Sequence, residues 1–318
     1  MAIKKIISII ILIQSLSLFA WELSGKSYHF EKITKNVFVM HGPLEEPNKI
    51  NEGFMNNPAL IIANKGLIVI DPGSALNVGR NVIKEIEKIS TKPIIAVFNT
   101  HIHGDHWLGN QAIIEKYPNA KIYAHPEMIK QANSEEGASW VESMERMTEG
   151  LSKGTKIVAP TFPLKHQQNI IIDSEEFKIH HPTVKAHTNT DIMIEHINSK
   201  SLFLGDNDFV NRMGRFDESS SMLGNIKTLK YAQTLDIKNF IPGHGKTGNQ
   251  QQALEPFLNY LLIMKKVVQK GYNDDLQDYE IRPEVVKALK DYKNWHLFNT
   301  NLGPQINKMF LEIEALDE

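Results

Sequence analysis

The chain has 318 residues, 42% of them hydrophobic and 23% charged, with a formal net charge of −2. That balance excludes a disordered, collagen-like or many-span membrane protein, and a near-neutral charge without a Lys/Arg run argues against a nucleic-acid partner. There is no cysteine, so disulfides and thiolate ligands are excluded and any transition-metal site must be built from His, Asp or Glu.

In chain order, Lys4 and Lys5 precede an apolar run at 6–13 and then Ser17, Leu18, Phe19 and Ala20. This pattern predicts a secretory signal peptide over 1–20, cleaved near Ala20 and delivering a periplasmic or secreted protein. The run is shorter than the ~20 apolar residues a bilayer core requires, so no stable membrane span is expected after cleavage. From 21 to 248 short β-rich runs alternate with turns and helical stretches, the pattern of a layered α/β domain. Strands are expected at 37–40, 59–63 and 67–70, and Asp71, Pro72 and Gly73 stop the last of them. Val78, Val82, Ile86 and Ile89 recur at helical spacing, which predicts an amphipathic helix over 76–89 packed on the sheet. A buried strand is expected at 94–98. The polar stretch 134–153, with Trp140, Met144 and Met147 at helical spacing, reads as a covering helix or a lid, the former favoured. From 249 to 318 strand signals disappear and apolar stripes predict a helical C-terminal extension, with Pro283 in the first turn of its second helix.

The chemistry concentrates in Asn99-Thr100-His101-Ile102-His103-Gly104-Asp105-His106-Trp107, directly after the strand at 94–98. In extended backbone, residues two apart face one side, so His101 and His103 can share an ion, while the turn at Gly104 sends Asp105 and His106 elsewhere. One loop can thus serve two metals but cannot fully hold both. Further ligands are expected at later strand ends, where ligand sites of α/β sheets converge. His187, in Lys185-Ala186-His187-Thr188-Asn189-Thr190-Asp191, Asp206, after Leu204-Gly205, and His244, in Ile241-Pro242-Gly243-His244-Gly245, meet that requirement. Trp107 could form an apolar wall beside the metals, and Asn207, Asp208 and Phe209 follow Asp206, although flanking residues like these also pack loops. His125 could reach the cleft, although a lone His beside Pro reads first as structural. Most of the other histidines read as surface or capping residues.

Taken with Ile70-Asp71-Pro72-Gly73, these five ordered motifs resemble the metallo-β-lactamase fold superfamily over about 28–248. The resemblance implies a four-layer αββα sandwich with a metal pair in a cleft at one edge of its sheets. It implies His101, His103 and His187 on a first metal, Asp105, His106 and His244 on a second, and Asp206 bridging them. Asp71 matches the aspartate beneath the ligand loop and supports it rather than ligating. Three neutral imidazoles suit zinc, so two Zn2+ ions are the expected cofactors, with iron or a mixed pair left open.

Two divalent ions make a nucleophile of water near neutral pH. The expected activity is zinc-dependent hydrolysis of a small-molecule carbonyl substrate (thioester, ester or lactone) by a dizinc-bridged hydroxide that Asp105 and Asp206 orient and Asp105 deprotonates. The bridging Asp206 favours glyoxalase II-like thioesterases over β-lactam hydrolysis, which is the runner-up, and the wider motif 99–110 with His187-Thr188-Asn189-Thr190-Asp191 also resembles exported zinc hydrolases of the quinoprotein relay type. An iron-dependent persulfide dioxygenase is the alternative of another class, opposed by the second-site residues His106, Asp206 and His244. The physiological substrate, any basic residues that recognise it and the oligomeric state are not legible in the letters.

Overall fold

The computed structural model describes residues 21–23 and 25–317, so the expected signal peptide lies outside the described residues. In chain order the strands and helices are β1 (Trp21–Leu23), β2 (Lys26–Tyr28), β3 (Glu31–Lys32), β4 (Val37–Val39), β5 (Ala59–Ile62), β6 (Leu67–Ile70), α1 (Leu76–Glu87), β7 (Ile94–Phe98), α2 (Gly104–Trp107), α3 (Asn110–Lys116), β8 (Lys121–Ala124), α4 (Pro126–Ala132), α5 (Glu135–Met147), β9 (Phe162–Pro163), β10 (Asn169–Ile172), β11 (Glu175–His180), β12 (Met193–His196), β13 (Ser201–Phe209), α6 (Met222–Gln233), β14 (Asn239–His244), α7 (Glu255–Asn273), α8 (Asp278–Ala288) and α9 (Phe298–Glu314).

Two large sheets follow from this order, beside the two-stranded β1-β2. One runs β3-β4-β5-β6-β7-β8-β9 and the other β10-β11-β12-β13-β14. The first is antiparallel up to β6 and parallel from β6 to β9. The second is antiparallel except for its last pair, β13 and β14. Apolar residues of both sheets interdigitate between them: Val39, Ile61, Ile68 and Phe98 from the first meet Phe177, Ile179, Ile194 and Phe203 from the second. Because successive strand residues face opposite sides, the same strands send a second apolar set outward, and each outer face is covered by helices. Val78, Val82 and Ile86 of α1 pack on the first sheet with Ala112 and Ile113 of α3. The second sheet's outer face carries α6 and, sharing one apolar cluster with it, the C-terminal helices α7, α8 and α9. The layers are therefore helices, sheet, sheet, helices, as the resemblance implies. Among the described residues no helix is long and apolar enough to cross a membrane.

Several sequence expectations shift, among them Pro283, which lies inside α8 and not in its first turn. Asp206 does not follow a strand that ends at Gly205; β13 continues through it to Phe209. Gly205, at φ 54°, supports register shifts on either side of itself and lets the strand bend without ending. The chain after His103 turns into the short helix α2 instead of a plain turn.

Candidate metal centre

The candidate ligands arrive from four directions at one edge of the sandwich. His101, His103, Asp105 and His106 follow β7, His187 sits between β11 and β12, Asp206 lies in β13 and His244 ends β14. His101, His103, His187 and Asp206 form one group, and Asp105, His106 and His244 a second; within each, one donor atom per residue lies within 4.8 Å of the others. These are the two such groups among the described residues. Asp206 stands between them: its carboxylate oxygens lie 3.1 Å from His106 Nε2, 3.3 Å from His244 Nε2, 3.5 Å from His187 Nε2 and 3.9 Å from His101 Nε2. A Cβ at position 243 would collide with Asp206 Oδ1, so Gly243 is what lets β14 run beside the carboxylate.

Hydrogen bonds behind the rings decide which nitrogen faces inward. A carboxylate only accepts. Thr100 Oγ1 lies 2.7 Å from Asp71 Oδ2 and donates to it, so at 3.0 Å it accepts from His101 Nδ1 and leaves His101 Nε2 as a lone pair. His106 Nδ1 donates to Asp71 Oδ2 at 2.8 Å. His244 Nδ1 donates to the Met55 carbonyl at 2.9 Å. His103 presents its other nitrogen, Nδ1, 2.9 Å from His187 Nε2, while its Nε2 faces the Asp217 carboxylate at 3.9 Å. Such outer partners fix tautomer and ring orientation in metal-binding histidines. The inward atoms have no partner of their own: His101 Nε2, His106 Nε2, Asp105 Oδ2 and Asp206 Oδ1 are buried without an aligned hydrogen bond. Buried polar atoms are rarely left so. Donors that converge on shared points rather than on each other fit cations, and the nitrogen and carboxylate set fits divalent transition metals.

Electrostatics agree. Burial, reinforced by neighbouring imidazoles, drives His187 down to about 3 and holds His101 well below the usual histidine range, so both are neutral. Burial opposes ionisation of Asp105 and Asp206, but the adjacent His106 and His244 outweigh it and hold both carboxyls well below the usual range. His101, His187 and both carboxylates are thus in the protonation states metal ligation requires, whereas, against burial, Asp206 and Asp105 raise His106 well above and His244 above the usual histidine range, so these two rings must shed a proton to ligate.

The centre opens into a cleft of about 310 Å³. The indole of Trp140, from α5, lies over the His103 ring with centroids 4.9 Å apart, and Phe209 stacks on His244 at 5.7 Å and 9°. The expected covering helix is therefore a wall of the cleft. Of the two readings of Trp107 the structure takes loop packing: fully buried, it donates from Nε1 to the Ile102 carbonyl at 2.7 Å and lies outside the cleft. Its place as the apolar wall is taken by Trp140, which the sequence shows only as part of a helical stripe. His125 caps α4, accepting from Glu127 N at 3.2 Å, and lies outside the cleft as well. His180 and His196 are not surface residues; they are buried against Glu195 and Glu175, each at 2.7 Å. Asp217, Arg146, Arg212 and Arg215 also line the cleft, and no motif in the sequence marks them.

The fold thus carries, at its sheet edge, a His/Asp cluster that could hold metal ions. The family described as the metallo-beta-lactamase superfamily matches residues 51–244, and the chain belongs to that superfamily. A probable metallo-hydrolase of Methanocaldococcus jannaschii is 27% identical over 207 residues, 62% of this chain and 91% of that protein. A hydroxyacylglutathione hydrolase of Nostoc sp. is 40% identical over 55 residues, 17% of this chain and 20% of that protein. Of relatives matched by such short local stretches the chain spans 14% to 26% of the length. Among solved structures, the inverting sec-alkylsulfatase Pisa1 from Pseudomonas sp. superposes with a TM-score of 0.69 at 18% identity, over 90% of this chain and 50% of that one, a likeness of fold.

Proposed function

We propose that this chain is a dizinc hydrolase acting on carbonyl-type substrates, thioesters first and esters or lactones next. The observation that carries the reading is the position of the Asp206 carboxylate, within 3.9 Å of four histidine Nε2 atoms drawn from both ligand groups. One carboxylate so shared suits two cations held side by side. His101, His103 and His187 would hold one, Asp105, His106 and His244 the other. Two divalent ions when bound supply a nucleophilic hydroxide near neutral pH and polarise the substrate's carbonyl oxygen. The remaining steps belong to the chain. Asp105, with Oδ2 at 3.2 Å from both His106 Nε2 and His244 Nε2, accepts the nucleophile's proton. As the oxygen–carbon bond forms and the carbon–sulfur bond breaks, that proton passes to the departing thiolate. Trp140 and Phe209 form an apolar rim that limits water around the reacting carbon. The likeness to hydroxyacylglutathione hydrolases favours a thioester. We further propose, from Lys4, Lys5 and the apolar run after them, that the protein is exported.

Metal analysis joined to a screen of thioester, lactone, phosphodiester and β-lactam compounds tests the reading. Two zinc ions per chain with thioesterase activity that a chelator removes is the expected result. One iron and no zinc would overturn it in favour of oxygen chemistry, and activity on β-lactams alone would move the substrate class.

A further inference from the structure

The chain has only five arginines among its 35 basic residues, yet Arg146, Arg212 and Arg215 all line the one cleft that holds the metal cluster, and no lysine does. Arg212 is the telling one. It is 6% exposed. Its Nη1 donates to the Leu44 and Glu45 carbonyls, while its Nε is buried with no hydrogen-bond partner. No carboxylate comes within ion-pair distance of it among the described residues. A buried guanidinium costs several kcal/mol of lost hydration that only a partner offsets, and its planar fork matches an oxyanion. Of the acids that share the cleft, Asp217, Glu136, Asp105 and Asp206 are already engaged, and Glu46, at its exposed rim, acts on Arg212 only from beyond ion-pair distance. Asp217 accepts from Ser219 N and Oγ at 2.8 and 2.7 Å, and Glu136 accepts from Trp140 Nε1 at 3.0 Å. Asp105 and Asp206 belong to the metal cluster. Arg215 is exposed and has no hydrogen bond or ion pair among the described residues. Facing these cations, α5 contributes Trp140, Met144 and Met147.

We propose that Arg212, assisted by Arg215, is an oxyanion-binding subsite, so that the substrate is an amphiphile whose carboxylate- or sulfonate-type group sits at Arg212 and whose apolar portion lies along Trp140, Met144 and Met147. The proposal rests on the hydrolase reading for its cleft and names the substrate class of that site. Its test needs no turnover.

The test is equilibrium binding of hexanesulfonate, a weak metal ligand, and of hexan-1-ol to the metal-loaded protein, by calorimetry. The native chain is expected to bind the sulfonate at least tenfold more tightly than the alcohol. Arg212→Gln should erase that preference while alcohol binding persists, and Arg212→Lys should retain part of it. An undiminished preference in Arg212→Gln, or none in the native chain, overturns the subsite. If Arg212→Gln does not fold, Arg215→Gln decides instead: a loss of threefold or more supports the subsite and no change overturns it. Thioester hydrolysis is measured separately, so sulfonate binding without thioesterase activity sinks the hydrolase reading alone, and the converse sinks the subsite alone.

Discussion

Asp71 Oδ2 receives the Nδ1 proton of His106 across 2.8 Å, and the same carboxylate accepts from Thr100 N and Thr100 Oγ1 at 2.8 and 2.7 Å. One side chain at the end of β6 thereby sets the ring of His106 directly and that of His101 through Thr100. Asp71 does this from the left-handed region, φ 50°, which Asn tolerates as well as Asp. Asp71→Asn should therefore keep the backbone while removing the charge that holds both tautomers. The expected effect is a 10- to 100-fold loss of metal affinity, roughly the range for such outer partners. Competition against a chromophoric chelator measures it, and unchanged affinity would show that the aspartate only closes the turn.

Asp105→Asn addresses the proton. Asn is nearly isosteric and keeps an oxygen donor for a metal, but it cannot act as a base. With metal content held equal, kcat on the best thioester should fall roughly a hundredfold to ten-thousandfold, the usual contribution of a positioned base. A fall of less than threefold would remove the proton role from Asp105 and leave it a ligand alone.

What the sequence makes legible divides along physical lines. His101, His103, Asp105 and His106 are legible because metal ligation demands particular residue types in a short loop at a strand's end, and His187, Asp206 and His244 because equivalent ends recur along the chain. Helix α1 is legible from its apolar spacing, although it stops at Glu87 rather than at 89. Trp140, Asp217 and Arg212 are not, because their function depends on which loop folds back over the cleft, and local spacing carries no record of that. Trp107 misleads for the same reason: adjacency in sequence to His106 does not fix the direction of a side chain once α2 rotates it into the core.

His125 offers a pH dependence away from the metals. Burial, aided by His181, lowers it to about 4, against an unfolded value near the ordinary 6.5. A folded pKa below the unfolded one means the unfolded chain binds more protons in between. The neutral ring's contribution is thus complete above pH 6.5 and is lost as pH falls toward 4, when a protonated ring can no longer accept from Glu127 N. His125→Asn keeps a side-chain acceptor of the kind helix N-termini prefer and does not titrate. Thermal melts of the metal-free protein between pH 7 and 4 should fall less steeply for the variant than for the native chain. Parallel curves would assign the acid sensitivity to other groups.

The C-terminal helices hold the cleft from behind without lining it. Gln305 of α9 donates from Nε2 to the Gly214 carbonyl at 2.6 Å and accepts from the Tyr260 hydroxyl of α7. Glu312 of α9 accepts from Ser221 Oγ, Met222 N and Leu223 N, all at 2.9 Å, at the start of α6. The segment pinned between these points carries Arg215 and Asp217, and Arg212 lies just before it. Gln305 and Tyr260 are 1% and 0% exposed, so Gln305→Leu strands the buried Tyr260 hydroxyl, while the Gly214 carbonyl keeps its bond from Asn301 Nδ2 at 3.1 Å. A stranded group costs about 1–3 kcal/mol, and the native state should lose that order of stability in denaturant unfolding. Adding Tyr260→Phe removes the stranded group, so the double variant should recover part of the loss, a coupling between neighbours that a double-mutant cycle reads directly. Because the pinned loop reaches the cleft, KM should rise in Gln305→Leu more than kcat falls. Strict additivity with unchanged KM would mean that the extension stabilises the fold without shaping the cleft.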